Sequence, residues 1–246
     1  MKVLAGGARV FGPSDEVPVT EGSRTYRAPI SKKNGAKLLA QTVSDYAPGR
    51  APARVNPAAE EVLYVVAGRG ACTVCGFSYP LDAGVGVYIP AGAVYQVESA
   101  EHLTVVSVCC PQDDQARVEP EPPPKASGSP PPRTVREQDR APIPVADRSF
   151  KLMVDKDLGC RQVTQFVGFI PPSKAPFHYH TYEEAIYIVE GAGIIHTEGE
   201  SAQIGAGASI YLPVGVRHCI ENPGTEPIRL LGVFYPSGSP AAAYEK

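Results

Sequence analysis

The sequence predicts an all-β protein made of two tandem antiparallel barrels or jelly rolls joined by a proline-rich linker. Three observations predict it: an excess of turn-forming residues, a strand pattern that occurs twice, and one proline-dense segment between the two copies. The chain has 246 residues, of which 26 are Pro and 24 are Gly. Average chains carry roughly 12% of the two together. Both residues are poor in helix interiors, so the excess argues for short strands joined by turns. The 43% apolar fraction is enough for packed cores, and the length allows two domains of ordinary size.

Residues 111–144 contain ten prolines, including Pro122-Pro123-Pro124 and Pro130-Pro131-Pro132. Such runs favour extended polyproline conformations. The segment reads as an interdomain linker, giving an N-terminal domain over 1–110 and a C-terminal domain over 145–246.

Glu61–Gly68 reads Glu-Val-Leu-Tyr-Val-Val-Ala-Gly, and Glu184–Gly191 reads Glu-Ala-Ile-Tyr-Ile-Val-Glu-Gly. Downstream, the run from Gly84 through Pro90 to Gly92 matches the run from Gly207 through Pro213 to Gly215. Each second block opens 23 residues after its Glu, at Gly84 and Gly207. Two blocks at one separation indicate a duplicated domain.

Each copy reads as β. Val62–Ala67 and Ala185–Val189 are β-branched and aromatic runs closed by Gly. Val85–Ile89 and Ala208–Leu212 are short strands ending at Pro-x-Gly turns, where Gly can take a positive φ. Leu103–Cys109 and Ile228–Phe234 are later strands. The one helix candidate is a short one over Gly35–Val43. Many short strands with regular turns suggest barrels or jelly rolls.

The net charge is -3, from 23 basic and 26 acidic residues, which gives no electrostatic case for nucleic acid or an anionic membrane. No apolar run reaches the ~18 residues of a membrane helix. Met1–Asp15 lacks a sustained apolar stretch and does not read as a signal peptide, so the expectation is a cytoplasmic protein. The six cysteines, Cys72, Cys75, Cys109, Cys110, Cys160 and Cys219, then read as reduced thiols packed in core strands.

The second copy carries a distinctive cluster. His178 and His180 stand two apart, so on a strand they project to one face. Glu184 follows across a short turn, and His218 lies just after the Pro213-x-Gly215 turn on a neighbouring strand. Three imidazoles and one carboxylate converging in a barrel suit a divalent transition metal with room left for water or substrate. Asn222 is placed to hold the strand end. His102 and His196 fall outside the cluster and read as surface or packing residues.

These residues resemble a known family. His178-x-His180-x-x-x-Glu184-x6-Gly191 is similar to the first cupin motif, with Pro172 in place of the family's opening Gly. Gly207-x5-Pro213-x-Gly215-x-x-His218-x-x-x-Asn222 is similar to the second at every position. With the first copy included, the chain resembles a bicupin over roughly residues 55–110 and 150–235. The resemblance implies one small double-stranded β-helix per domain, with metal ligands at His178, His180, Glu184 and His218. In the first copy Val55, Pro57, Tyr95 and Ser99 stand at the motif His and Asn positions, and only Glu61 survives. That domain reads as a metal-free structural or dimerising partner; the second reading is a non-metal pocket lined by Glu61, Tyr95 and Gln96.

The donor set suits Fe(II), Mn(II), Ni(II), Cu(II) or Zn(II), with Fe(II) or Mn(II) favoured. Such a centre can chelate an oxygenated substrate, acidify its α-protons or bring O₂ beside it; hydrolysis by bound water is a third option. The expectation is a metal-dependent enzyme acting on a small oxygenated metabolite. Dioxygenase-type or isomerase and cyclase chemistry leads, through the family resemblance. The alternative is a non-catalytic binding or sensing module, for example for a sugar. Glu183 as general base and Arg217 as carboxylate clamp are the candidate catalytic residues, with Tyr182, Tyr187 and Gln165 as further candidates. The expected partner is a small molecule. The resemblance also implies a homodimer through sheet edges, unless the two halves pair within one chain.

Overall fold

The computed structural model describes residues 1–119 and 121–241. Pro120 of the expected linker and residues 242–246 of the expected C-terminal domain lie outside them. Strands dominate, and the helical pieces are single 3-10 turns.

Each half is a barrel of two facing sheets. In the second, an eight-stranded sheet runs Lys2–Val3, Arg9–Phe11, Ser209–Leu212, Glu183–Glu190, Ile228–Tyr235, Thr164–Ile170, Arg148–Leu152, Ile143–Val145. It faces a four-stranded sheet of Ser173–Lys174, His218–Asn222, Ala192–Thr197 and Glu200–Gly205. The first barrel repeats the plan, with a seven-stranded sheet centred on Glu60–Ala67 and a six-stranded sheet centred on Tyr95–Ser99. All six predicted strands are present within a residue or two of their expected ends. Gly92 and Gly215 take φ of 74° and 77°, as their Pro-x-Gly turns require.

The two barrels pack sheet to sheet, which explains why the central strands read as unbroken apolar runs. On Glu183–Glu190, Ile186 and Ile188 point into the second barrel. The alternate residues Ala185, Tyr187 and Val189 join clusters shared with the first barrel. Val62 and Tyr64 do the same from the other side, while Leu63 and Val65 fill the first barrel. Both faces are covered, so period-two alternation of polarity is lost.

The sheets cross the predicted domain boundaries. Arg9–Phe11 pairs with Ser209–Leu212 of the second barrel. Thr134–Arg136, from the proline-rich segment, pairs with Val85–Ile89 of the first. The two pairings are equivalent in the repeat, so each copy gives its leading strand to the other copy's sheet. Leu4, Ala8 and Val10 accordingly sit in the core of the second barrel. The segment 111–144 is therefore more than a spacer: Arg117–Glu119 also adds to the first barrel, and Ile143–Val145 opens the second.

Two local readings are corrected. Gly35–Val43 is not a helix: Lys32–Asn34 is a 3-10 turn and Ala40–Tyr46 is a strand. Thr42 and Val43 are β-branched, and this strand is hydrogen-bonded on both sides, which overrides any weak helical preference. All six cysteines are free, but Cys75 is exposed rather than packed in a strand. Cys75 and Gly76, with φ of 47° and 82°, make the two-residue turn of a hairpin.

Candidate metal centre

The site lies at one end of the second barrel. His178 and His218 face each other across an antiparallel bridge, with N···O distances of 3.0 and 2.9 Å. The Gly215 amide, in the Pro213-x-Gly215 turn, donates to the His180 carbonyl at 2.8 Å and ties that turn to the same place. The ring centroids of the three histidines lie 4.5 to 5.4 Å apart. One nitrogen from each falls within 4.8 Å of the others.

The rings are oriented for ligation. His218 Nδ1 is 2.9 Å from the Val216 carbonyl and His178 Nδ1 is 3.2 Å from the Pro176 carbonyl. A carbonyl only accepts, so these contacts place the proton on Nδ1 and leave the Nε2 lone pair for a ligand. Burial, with His178 and His180 alongside, pulls the His218 pKa down to about 3, so this imidazole is neutral, the form that binds metal. The His180 ring stacks on Tyr182 at 5.0 Å and 11°, and the Tyr182 hydroxyl donates to the Ser239 carbonyl.

Glu184 belongs beside this group. Its Oε2 is 3.7 Å from His180 Nε2, beyond hydrogen-bonding distance, and the atom is buried with no hydrogen-bond partner. Burial raises its pKa to about 8. A buried carboxyl group whose Oε2 lacks a partner, next to three imidazoles, is an arrangement a cation would complete.

The imidazoles and Glu184 open onto a cavity of about 270 Å³ with a mostly apolar wall that includes Phe150, Phe166, Ile186, Ile220, Leu230 and Phe234. Gly232 shapes it, because a Cβ there would come within 2.2 Å of the Phe166 ring.

The other predicted residues go elsewhere. Glu183 is not a general base in the cavity. Strand alternation turns it away, and it accepts hydrogen bonds from the Lys37, Leu38 and Leu39 amides and the Tyr211 hydroxyl. Glu60 repeats the arrangement with Tyr88 at 2.6 Å, so the first Glu of each pair serves the packing between barrels. Arg217 is not a clamp. It lies outside the cavity and pairs with Glu198 at 3.1 Å, because its neighbour His218 takes the inward position. Gln165 reaches the Leu63 carbonyl of the first barrel at 3.3 Å, and Tyr187 packs between the barrels. Asn222 holds the strand end, donating to the Ile170 and Glu226 carbonyls. His102 lies 3.6 Å from Asp45 and His196 lies 2.7 Å from Glu221, both away from the site.

In the first barrel the place of the metal motif is filled. Glu61 accepts from Asn56 Nδ2 at 2.6 Å and from the Tyr95 hydroxyl at 2.9 Å, and Gln96 donates to the Ala51 carbonyl. Sequence reasoning missed the cavity wall made by residues 145–150, which it placed at the start of the second domain without assigning them a strand. The apolar alternation around Phe150 was the available signal.

The second barrel and its site are those of a cupin domain. Residues 166–234 match the family model described as the cupin domain, and the chain as a whole has the two-barrel fold of the solved structures named below. Among curated relatives, an uncharacterized protein MJ1618 of Methanocaldococcus jannaschii is 40% identical over 65 residues, 26% of this chain and 52% of that protein. The polyketide synthase CurC of Streptomyces cyaneus is 34% identical over 62 residues, 25% of this chain and 40% of that protein. The matches therefore span about half the length of these relatives or less. Among solved structures, oxalate decarboxylase OxdC of Bacillus subtilis aligns with a TM-score of 0.77 at 17% identity, covering 94% of this chain and 78% of that one. Among the described residues, no helix is long and apolar enough to cross a membrane.

Proposed function

We infer that the second barrel is a metal-dependent active site for a small, largely apolar, oxygenated metabolite. The observation that carries this is the convergence of His178, His180, His218 and buried Glu184 at the end of an apolar cavity. A bound divalent ion would supply Lewis acidity, and Fe(II) or Mn(II) would also supply redox chemistry. The chain's own part is to present three imidazoles, add one negative charge through Glu184 once a cation is bound, and exclude water with the aromatic wall. Dioxygenase-type chemistry and isomerisation or cyclisation both use this arrangement.

The cavity favours a ring-bearing or polycarbonyl substrate. Oxalate is small, dianionic and strongly hydrated, and a wall of Phe, Ile and Leu offers it little. A sugar would likewise demand more polar partners, which weighs against a sugar-binding module. A polycarbonyl compound chelates through two oxygens and has acidic α-protons, and a relative bears a polyketide synthase name.

The test is metal analysis of the purified protein beside His178→Ala and His218→Ala, followed by O₂ uptake with diketones, catechols and keto acids. Bound metal that both substitutions remove supports the reading. Metal content unaffected by either substitution sinks it. O₂ uptake selects a dioxygenase, and turnover without O₂ selects an isomerase or cyclase.

A further inference from the structure

The cavity has a second polar pole. Ile143–Val145 and Arg148–Leu152 pair as a hairpin at the edge of the eight-stranded sheet, with Val145 opposite Arg148. Asp147, Arg148 and Ser149 of this hairpin line the cavity, and among the described residues Arg148 is the only Lys or Arg that does so. Its Nη2 donates to the Ile220 carbonyl at 3.0 Å. Ile220 is two residues beyond His218, so this bond fixes the guanidinium against the strand that bears one of the imidazoles.

The guanidinium is only partly satisfied. Nε is buried without a hydrogen-bond partner, and its nearest carboxylate, Asp147 Oδ1, is 3.4 Å away. Nη1 makes no hydrogen bond among the described residues. The Asp147 side chain is 50% exposed and the Arg148 side chain 18%, so the cation is the more enclosed of the two and lies against the apolar wall. An arginine stays charged under such conditions, and an apolar wall strengthens its attraction for an anion.

We propose that Arg148 is the anion-recognising residue of this cavity, and that the substrate is a mostly apolar, ring-bearing acid. Its carboxylate meets Arg148, and its chelating oxygens meet the histidine end. The proposal rests on the metal-site reading above and adds the polarity of the substrate's far end. The planar fork of arginine suits a carboxylate, and the phenylalanines hold the ring between the two poles.

The experiment uses full-length protein loaded with Zn(II), which is redox-silent, and two probes. These are 3,4-dihydroxybenzoate and 4-methylcatechol, which share the chelating end and differ in the carboxylate. Calorimetry is expected to show the acid binding about 10-fold more tightly to the native protein, the scale of a hydrogen bond to a charged group. Arg148→Met is expected to abolish that preference and leave 4-methylcatechol within about 2-fold, on the same scale. Equal binding of the two probes by the native protein overturns the proposal. So does a preference that survives in Arg148→Met. Equal weakening of both probes also overturns it, because Arg148 then only braces the hairpin. If Arg148→Met does not fold, Arg148→Lys takes its place, with selective weakening of the acid expected and equal weakening of both probes again refuting. Zinc content is measured in parallel. No bound zinc sinks the metal reading, whereas bound zinc without carboxylate preference sinks only the role of Arg148.

Discussion

Glu184→Gln should make the metal-free protein respond less to pH while removing a metal ligand. In the metal-free chain Glu184 is buried, its Oε2 lacks a hydrogen-bond partner, and its pKa is raised to about 8. The unfolded chain releases this proton near the ordinary glutamate value of about 4.3. Between those values the folded state binds the extra proton, so stability falls as pH rises through the window. Each pH unit costs roughly 1.4 kcal/mol, which amounts to about 3 to 4 kcal/mol by pH 7 and little more beyond pH 8. Glutamine does not titrate, so the variant lacks this slope. Its own amide is imperfectly satisfied too, which adds a constant offset; the slope is therefore the quantity to read. His218, pulled down to about 3, works in the opposite direction: stability is lost as pH falls below its unfolded value of about 6.5. That contribution is shared by both proteins and cancels in the comparison. The assay is urea unfolding of chelator-stripped protein at pH 5, 6, 7 and 8. Parallel pH profiles for the native protein and the Glu184→Gln variant would refute the reasoning.

Three further outcomes follow from the packing. Gly232→Ala should drive the Phe166 ring into the cavity, costing about 1 to 3 kcal/mol in denaturant unfolding and weakening any apolar probe. Leu4→Ala should cost about 2 to 5 kcal/mol and raise hydrogen exchange in the second barrel, although Leu4 belongs to the first repeat; exchange confined to the first barrel would contradict the strand pairing. Glu183→Gln should lower stability by at least about 2 kcal/mol, since it removes the charge that three amides and a tyrosine hydroxyl share, and should leave metal content unchanged.

What could be read from sequence was local. The strands around Tyr64, Tyr187, Val87 and Ile210 follow from β-branched runs closed by Gly, and the three histidines follow from fixed spacing on adjacent strands. What could not be read depends on distant partners. Glu183 and Glu184 are identical neighbours, and only the packing of the first barrel on the outer face gives Glu183 its amides. The strand of Arg9–Phe11 has no sequence mark naming Ser209–Leu212 as its partner. The prolines of residues 111–144 masked short strands because Pro144 sits on the outermost strand of its sheet, where a missing amide does little harm. Arg148 carries no motif of its own, and only the pairing of Ile143–Val145 with Arg148–Leu152 brings it to the cavity.

The exchange of leading strands has a consequence for synthesis. Arg9–Phe11 leaves the ribosome about 200 residues before its partner, centred on Ile210, has been made. At ~5 to 20 residues per second this segment waits roughly 10 to 40 s with only Lys2–Val3 to pair with and its other edge open. The first barrel has its own wait, since Val85–Ile89 gains its second neighbour only when Thr134–Arg136 emerges. Neither sheet can be finished on a nascent chain that stops between the copies. A fragment ending there would expose one unpaired edge and one stray strand. The copy without the histidine cluster is thereby kept in step with the copy that carries it, because each completes a sheet of the other.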